Sequence, residues 1–253
     1  MTSQLFSRPI AHRGLHDRAA GIVENSAAAF EAAIAGHFAI ECDLQLSRDG
    51  VPVVFHDEVL DRLTGETGLV SYRPVAELTH IGLKDSKAGD RPQTLDAFLE
   101  QIDGRALLQI ELKHQPDAEA TRRLAEAAAG SLARYTGAVT VESFDPRLIS
   151  LIRDFGFAGP RGIITYDYEG EDYPPGITEE QRYSMRHLLH WHETQFDFIS
   201  CDKAALTLPA IVFWRALGKP ITAWTIRSAV EAEAARPHID QIVFEGFNPD
   251  RVD

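Results

Sequence analysis

Little of what marks a secreted, membrane-spanning or nucleic-acid-binding chain is present in these 253 residues. Only two cysteines occur, Cys42 and Cys201, both inside apolar runs, so buried free thiols are expected rather than a disulfide. Basic residues are scarce, 25 against 38 acidic, for a net charge of −13. That deficit argues against nucleic acid or an anionic membrane surface as the main partner, because both demand basic patches. No stretch is long and apolar enough to span a membrane. The opening MTSQLFSRPIAHRG lacks the charged start and apolar run of a signal peptide, so a cytoplasmic location is expected. Also missing are a Gly-rich dinucleotide fingerprint after the first strand and the histidine-x-histidine pair of a barrel amidohydrolase.

What is there is an even rhythm. The hydrophobic content of 44 % is ordinary for a globular protein. Short β-branched runs alternate with helix-like segments, and the principal strands fall at Ile10, Glu41, Glu111, Val141, Ile164, Ile199, Ala223 and Val243. Helices are expected from Asn25 (with Asn25 or Ser26 as cap), from Thr94, and over Asp117–Ala133, Arg147–Arg153, Glu179–His192, Leu208–Leu217 and Ala229–Ala235. Residues 47–93 carry turn signals and no long amphipathic run, which reads as a small insertion. The expectation is an α/β protein, a TIM (β/α)8 barrel forming a single domain over residues 1–253, with that insertion after the second strand.

One stretch organises the rest: IECDLQLSRDGVPVVFHD, Ile40 to Asp57. In an extended strand Glu41 and Asp43 share a face, while Ile40, Cys42 and Leu44 pack away from it. Asp49-Gly50 supplies a turn, and the returning chain ends on His56-Asp57. Glu111 and Lys113 repeat the two-residue spacing further on. A barrel builds its site at the C-terminal ends of strands, where His12, Arg13, Glu41, Asp43, Glu111, Lys113, then Glu142 to Phe144 and Trp224 fall, so these ends should converge on one mouth. Paired carboxylates suit a hard divalent cation, and Arg13 with Lys113 suits an anionic group such as a phosphate.

In these residues the chain resembles the glycerophosphodiester phosphodiesterase family. The matching motifs are His12-Arg13-Gly14, Glu24-Asn25, Glu41-x-Asp43, Asp49-Gly50, His56-Asp57, Thr94-Leu95, Glu111-x-Lys113, Ser143-Phe144-Asp145 and Trp224-Thr225. The resemblance implies one divalent cation, Mg²⁺ or Ca²⁺ with Mn²⁺ also accepted, held by Glu41, Asp43 and Glu111. It implies His12 and His56 as the acid–base pair, and hydrolysis of a small glycerophosphodiester to an alcohol and sn-glycerol 3-phosphate. Imidazoles near neutral pKa suit both proton transfers, with His12 read as base and His56 as acid. Arg13 and Lys113 are read as phosphate contacts and Trp224 as an apolar wall. Two alternatives stand beside this: a lysophospholipid or opine-like sugar phosphodiester as substrate, and a catalytically silent phosphodiester-binding barrel. A homo-oligomer is left open.

The chain departs from the family pattern at Arg227, where asparagine commonly follows Trp-Thr-x, and at Phe244-Glu245-Gly246-Phe247-Asn248-Pro249, where Thr-Asp-x-Pro is usual. Both are expected at the rim, away from the histidines, with Arg227 as a head-group contact. Asp57 reads either as orienting His56 or as the start of the next turn, and is not counted among the site residues. His16, His37 and His114 read as ordinary polar residues, and His187, His190 and His192 as one exposed helix. The acidic aromatic loop Tyr166–Gly176 is expected to overhang the mouth.

Overall fold

Alternation along the second strand separates two faces: Ile40, Cys42 and Leu44 are buried in one apolar cluster, while Glu41 and Asp43 turn the other way. The same separation recurs in every strand of the computed structural model, which describes residues 6–169 and 177–251. The strands are β1 (Ile10–Ala11), β2 (Ala39–Leu46), β3 (Pro52–Val54), β4 (Leu108–Leu112), β5 (Val139–Ser143), β6 (Arg161–Thr165), β7 (Phe198–Asp202), β8 (Ile221–Ile226) and β9 (Gln241–Phe244). The helices are α1 (Ala27–Ala35), α2 (Val75–Leu78), α3 (Leu95–Ile102), α4 (Ala118–Leu132), α5 (Pro146–Asp154), α6 (Glu179–Arg186), α7 (Trp191–Thr194), α8 (Pro209–Ala216) and α9 (Ala229–Ala235).

Of the nine strands among the described residues only β3 is antiparallel, a hairpin partner to the far end of β2. The other eight run parallel, and β1 pairs with both β2 and β9, which closes the sheet. This is the expected TIM barrel, with helices packed outside it. The floor inside the barrel is apolar, with Phe6, Ile10, Ala39, Phe198 and Val243 clustered there. Gln109 on β4, Glu142 on β5, Ser200 on β7 and Thr222 on β8 are buried polar residues. The larger apolar cluster lies between strands and helices, and each fully buried Leu, Ile or Phe contributes about 1.5–3 kcal/mol.

Local chemistry explains the boundaries. Ser26, not Asn25, caps α1, its hydroxyl accepting from the Ala29 amide. Thr94, Asp117 and Asp145 cap α3, α4 and α5 in the same way. Asp49-Gly50 makes the expected turn, with Gly50 at φ 85 and the Ser47 hydroxyl on Asp49 at 2.7 Å. Residues 47–93 hold β3, α2 and most of a small apolar cluster around Phe55, Leu60, Leu63, Val70 and Leu78, to which Val23 also belongs.

The expected helix Glu179–His192 is instead two. α6 ends at Arg186, Leu188 takes a left-handed φ of 53, and α7 starts at Trp191. His190 between them is buried, and only His192 of that trio has an exposed place on α7. Residues 170–176 of the acidic aromatic loop, and the first five residues of the N-terminal stretch, lie outside the described residues. Among the described residues no helix is long and apolar enough to cross a membrane.

Candidate active site

The C-terminal ends of the strands deliver charge to one place. A cavity of ≈ 330 Å³ at the barrel mouth is lined by His12, Arg13, Glu41, His56, Glu111 and Lys113, with Phe144, Trp224 and Arg227 around them. Asp43 lies beside it, 3.4 Å from Lys113 and 3.5 Å from Arg13. The nine candidate site residues read from the sequence are therefore brought together. A second lobe of ≈ 480 Å³, lined by Phe144, Tyr166, Tyr168 and Met185, meets the first at His56, Glu111, Lys113 and Phe144.

The His-Arg-Gly opening works through its backbone. Arg13 and Gly14 both take left-handed φ, 55 and 78, and the turn aims the Arg13 amide at Glu41 Oε2, 2.8 Å away. Gly14 has no room for a side chain, since a Cβ there would lie 2.8 Å from that of Ala29. Asn25, also at positive φ, donates its side-chain amide to Asp43 Oδ2 at 2.8 Å. Ser143 and Asp145 serve the scaffold: the Ser143 hydroxyl donates to the Leu112 carbonyl, and Asp145 caps α5. Phe144 between them faces the cavity and meets Trp224 edge to face at 5.6 Å.

Glu41, Asp43 and Glu111 are all buried, and one carboxylate oxygen from each lies within 4.8 Å of the others. Burial, with repulsion from Asp43 and Glu111, pushes the Glu41 carboxyl well above its ordinary range. Burial also raises Glu111, to about 7, although Lys113 at 2.9 Å opposes it. For Asp43 burial pushes up, but Lys113, His56, Arg13 and His12 together draw it well below. Asp43 Oδ1 is buried without a close hydrogen bond, the Lys113 ammonium standing 3.4 Å away. Three buried hard oxygen donors that repel one another fit a divalent cation, so this triad could hold one.

Each active-site histidine has a carboxylate on its Nδ1. His56 Nδ1 is 2.7 Å from Asp57 Oδ1, and His12 Nδ1 is 2.6 Å from Glu245 Oε2. Such contacts fix the ring and leave Nε2 for chemistry. Burial lowers the pKa of both imidazoles, opposed at His12 chiefly by Glu245 and at His56 chiefly by Asp43. The His12 contact itself, with His16 and Arg227 near, keeps Glu245 charged.

Several expectations change here. Glu245 does not stand apart from the histidines: it is the partner of His12, so the altered C-terminal motif retains a carboxylate where it matters. Arg227 lines the cavity, yet its Nε and Nη2 lie 2.8 and 2.7 Å from Glu245 Oε1, so its guanidinium is engaged there. His16 is not an ordinary polar residue, since its Nε2 is 3.6 Å from Glu245 Oε2. His114 lines the second lobe and sits 3.1 Å from Asp145. Asp57 contacts His56 directly. Glu142, buried on β5, also lines the cavity; burial and the Glu111 charge raise its carboxyl to about 8. Its place at a strand end was the only signal in the sequence.

Residues 12–234 match the profile of the Glycerophosphoryl diester phosphodiesterase family. The chain is 31 % identical over 163 residues to the YhdW protein of Bacillus subtilis (strain 168), across 62 % of this chain and 65 % of that protein. It is 40 % identical over 110 residues to a glycerophosphodiester phosphodiesterase of Caldanaerobacter subterraneus subsp. tengcongensis, across 41 % of this chain and 44 % of the other. The matched stretches thus span less than two thirds of these relatives' own length. A phosphodiesterase from Oleispira antarctica, solved with its product sn-glycerol-3-phosphate, has the same fold at a TM-score of 0.79. It is 20 % identical and covers 97 % of this chain and 95 % of that one.

Proposed function

The chain belongs to the Glycerophosphoryl diester phosphodiesterase family, and we propose that it hydrolyses a small glycerophosphodiester to an alcohol and sn-glycerol 3-phosphate. The observation that carries this reading is the cavity in which two carboxylate-backed histidines, Arg13 and Lys113 surround three carboxylates. Glu41, Asp43 and Glu111 would hold a divalent ion, which when bound supplies Lewis-acid polarisation of a phosphoryl oxygen. Arg13 and Lys113 bind the anionic diester, and Lys113 is kept charged because Glu111 and Asp43 outweigh the effect of its burial. Trp224 and Phe144 supply an apolar wall for the carbon skeleton.

Position divides the two histidines. His12 lines the first lobe only, while His56 lines both. His12, neutral through burial and oriented by Glu245, takes the proton of the nucleophile, water or a substrate hydroxyl. His56, at the junction, protonates the departing alcohol as it leaves into the second lobe. An anionic diester beside His56 raises its pKa, so substrate binding helps to charge the acid.

The test is a pair of variants on two leaving groups. His12→Ala and His56→Ala should each remain folded by circular dichroism and lose about 10²–10⁴-fold in turnover of an alkyl diester. A nitrophenyl leaving group needs no proton, so His56→Ala should lose far less with it, whereas His12→Ala should lose as much. Near-wild-type hydrolysis by either variant removes that residue from the mechanism. Tight substrate binding with no release by the wild type would favour a silent barrel.

A further inference from the structure

Arg62 lies in the segment after β3, outside the barrel strands, and its guanidinium makes four hydrogen bonds to two carboxylates. Nε and Nη2 donate to Asp57 at 2.6 and 2.8 Å, and Nη1 and Nη2 donate to Glu24 at 2.7 and 2.9 Å. Each carboxylate passes the contact on. Asp57 Oδ1 holds His56 Nδ1 at 2.7 Å, and Glu24 Oε1 accepts from Arg13 Nη1 at 2.6 Å. One planar fork therefore spans the supports of His56 and Arg13.

We propose that Arg62 is a positioning residue of the reaction, fixing the His56 ring through Asp57 and the Arg13 guanidinium through Glu24 in a single geometry. The proposal rests on the phosphodiesterase reading above. The chemistry demands arginine: two bidentate contacts need a planar set of donors at fixed angles, which a lysine ammonium does not offer. Without the fork, Asp57 and Glu24 lose their shared counter-charge and each is free to turn away from its histidine or arginine. The contact also ties the insertion to the barrel mouth, because Arg62 and Asp57 come from residues 47–93 while Glu24 and Arg13 precede α1.

Arg62 is partly open to solvent, its side chain 42 % exposed, so a small cation can reach the space it leaves. Arg62→Lys and Arg62→Ala should each lower kcat by about 10- to 100-fold. Guanidinium ion added to Arg62→Ala should restore at least about tenfold of that loss, and methylammonium at the same concentration should not. The thermal midpoint, read in parallel, should not move when guanidinium restores activity. Wild-type kcat in Arg62→Lys, beside an active wild type, overturns the positioning role and leaves the function intact. So does a loss in Arg62→Ala that guanidinium fails to restore or that methylammonium restores equally. A wild-type protein that releases no glycerol 3-phosphate overturns the phosphodiesterase reading, and this proposal with it.

Discussion

Glu245 and His12 stand 233 positions apart in the chain and 2.6 Å apart in the fold. No local pattern announces such a pair, which is why the carboxylate was read as a rim substitution. Asp57 is adjacent to His56 and legible as its partner, whereas Arg62 is not, because its place depends on Glu24, brought in from before α1. The metal carboxylates were legible because period-two spacing puts Glu41 and Asp43 on one face whatever the rest of the chain does. The role of Glu245 can be tested by removing only its charge. Glu245→Gln keeps the shape but not the strong acceptor that fixes the His12 tautomer, so kcat should fall, by up to about 10⁴-fold. Glu245→Asp should recover part of it. Steady-state kinetics showing full kcat in Glu245→Gln would leave His12 oriented by something else.

At the scale of elements, the fold was legible almost to the residue where two signals agreed. α4 has a capping Asp117 and an alanine-rich run, and it spans Ala118–Leu132 within the expected Asp117–Ala133. The break between α6 and α7 was not legible, because His187-Leu188-Leu189 contains neither glycine nor proline and the left-handed Leu188 is set by packing of its buried side chain. The turn after β1 offers a sharper test of how an element serves the site. Gly14→Ala must place a Cβ 2.8 Å from Ala29 Cβ and 2.9 Å from its backbone carbon, at a φ that L-residues avoid. A destabilisation of about 1–3 kcal/mol is expected in urea unfolding, together with weaker diester binding as Arg13 shifts. Unchanged stability would mean that the turn relaxes without cost.

Across the whole molecule the barrel concentrates buried carboxyl groups that are raised above their unfolded values, and stability must respond to pH. Glu142 is raised from 4.5 to about 8 by burial and by Glu111. A folded state that holds a proton more tightly than the unfolded one loses stability as pH climbs between those two values. In EDTA the protein should therefore lose on the order of a few kcal/mol between pH 5 and pH 8. Glu142→Gln should flatten that dependence and unfold at higher urea at pH 8; a slope unchanged by the substitution would assign the effect elsewhere. The same crowding of carboxylates underlies the proposal that Glu41, Asp43 and Glu111 hold a divalent ion used in cleaving a glycerophosphodiester. The most direct measurement is glycerol 3-phosphate release from a panel of glycerophosphodiesters, by protein stripped with EDTA and then restored with Mg²⁺, Ca²⁺ or Mn²⁺ in turn. No release is expected after stripping, with recovery on adding at least one ion; release that EDTA leaves untouched would contradict a metal held by these carboxylates.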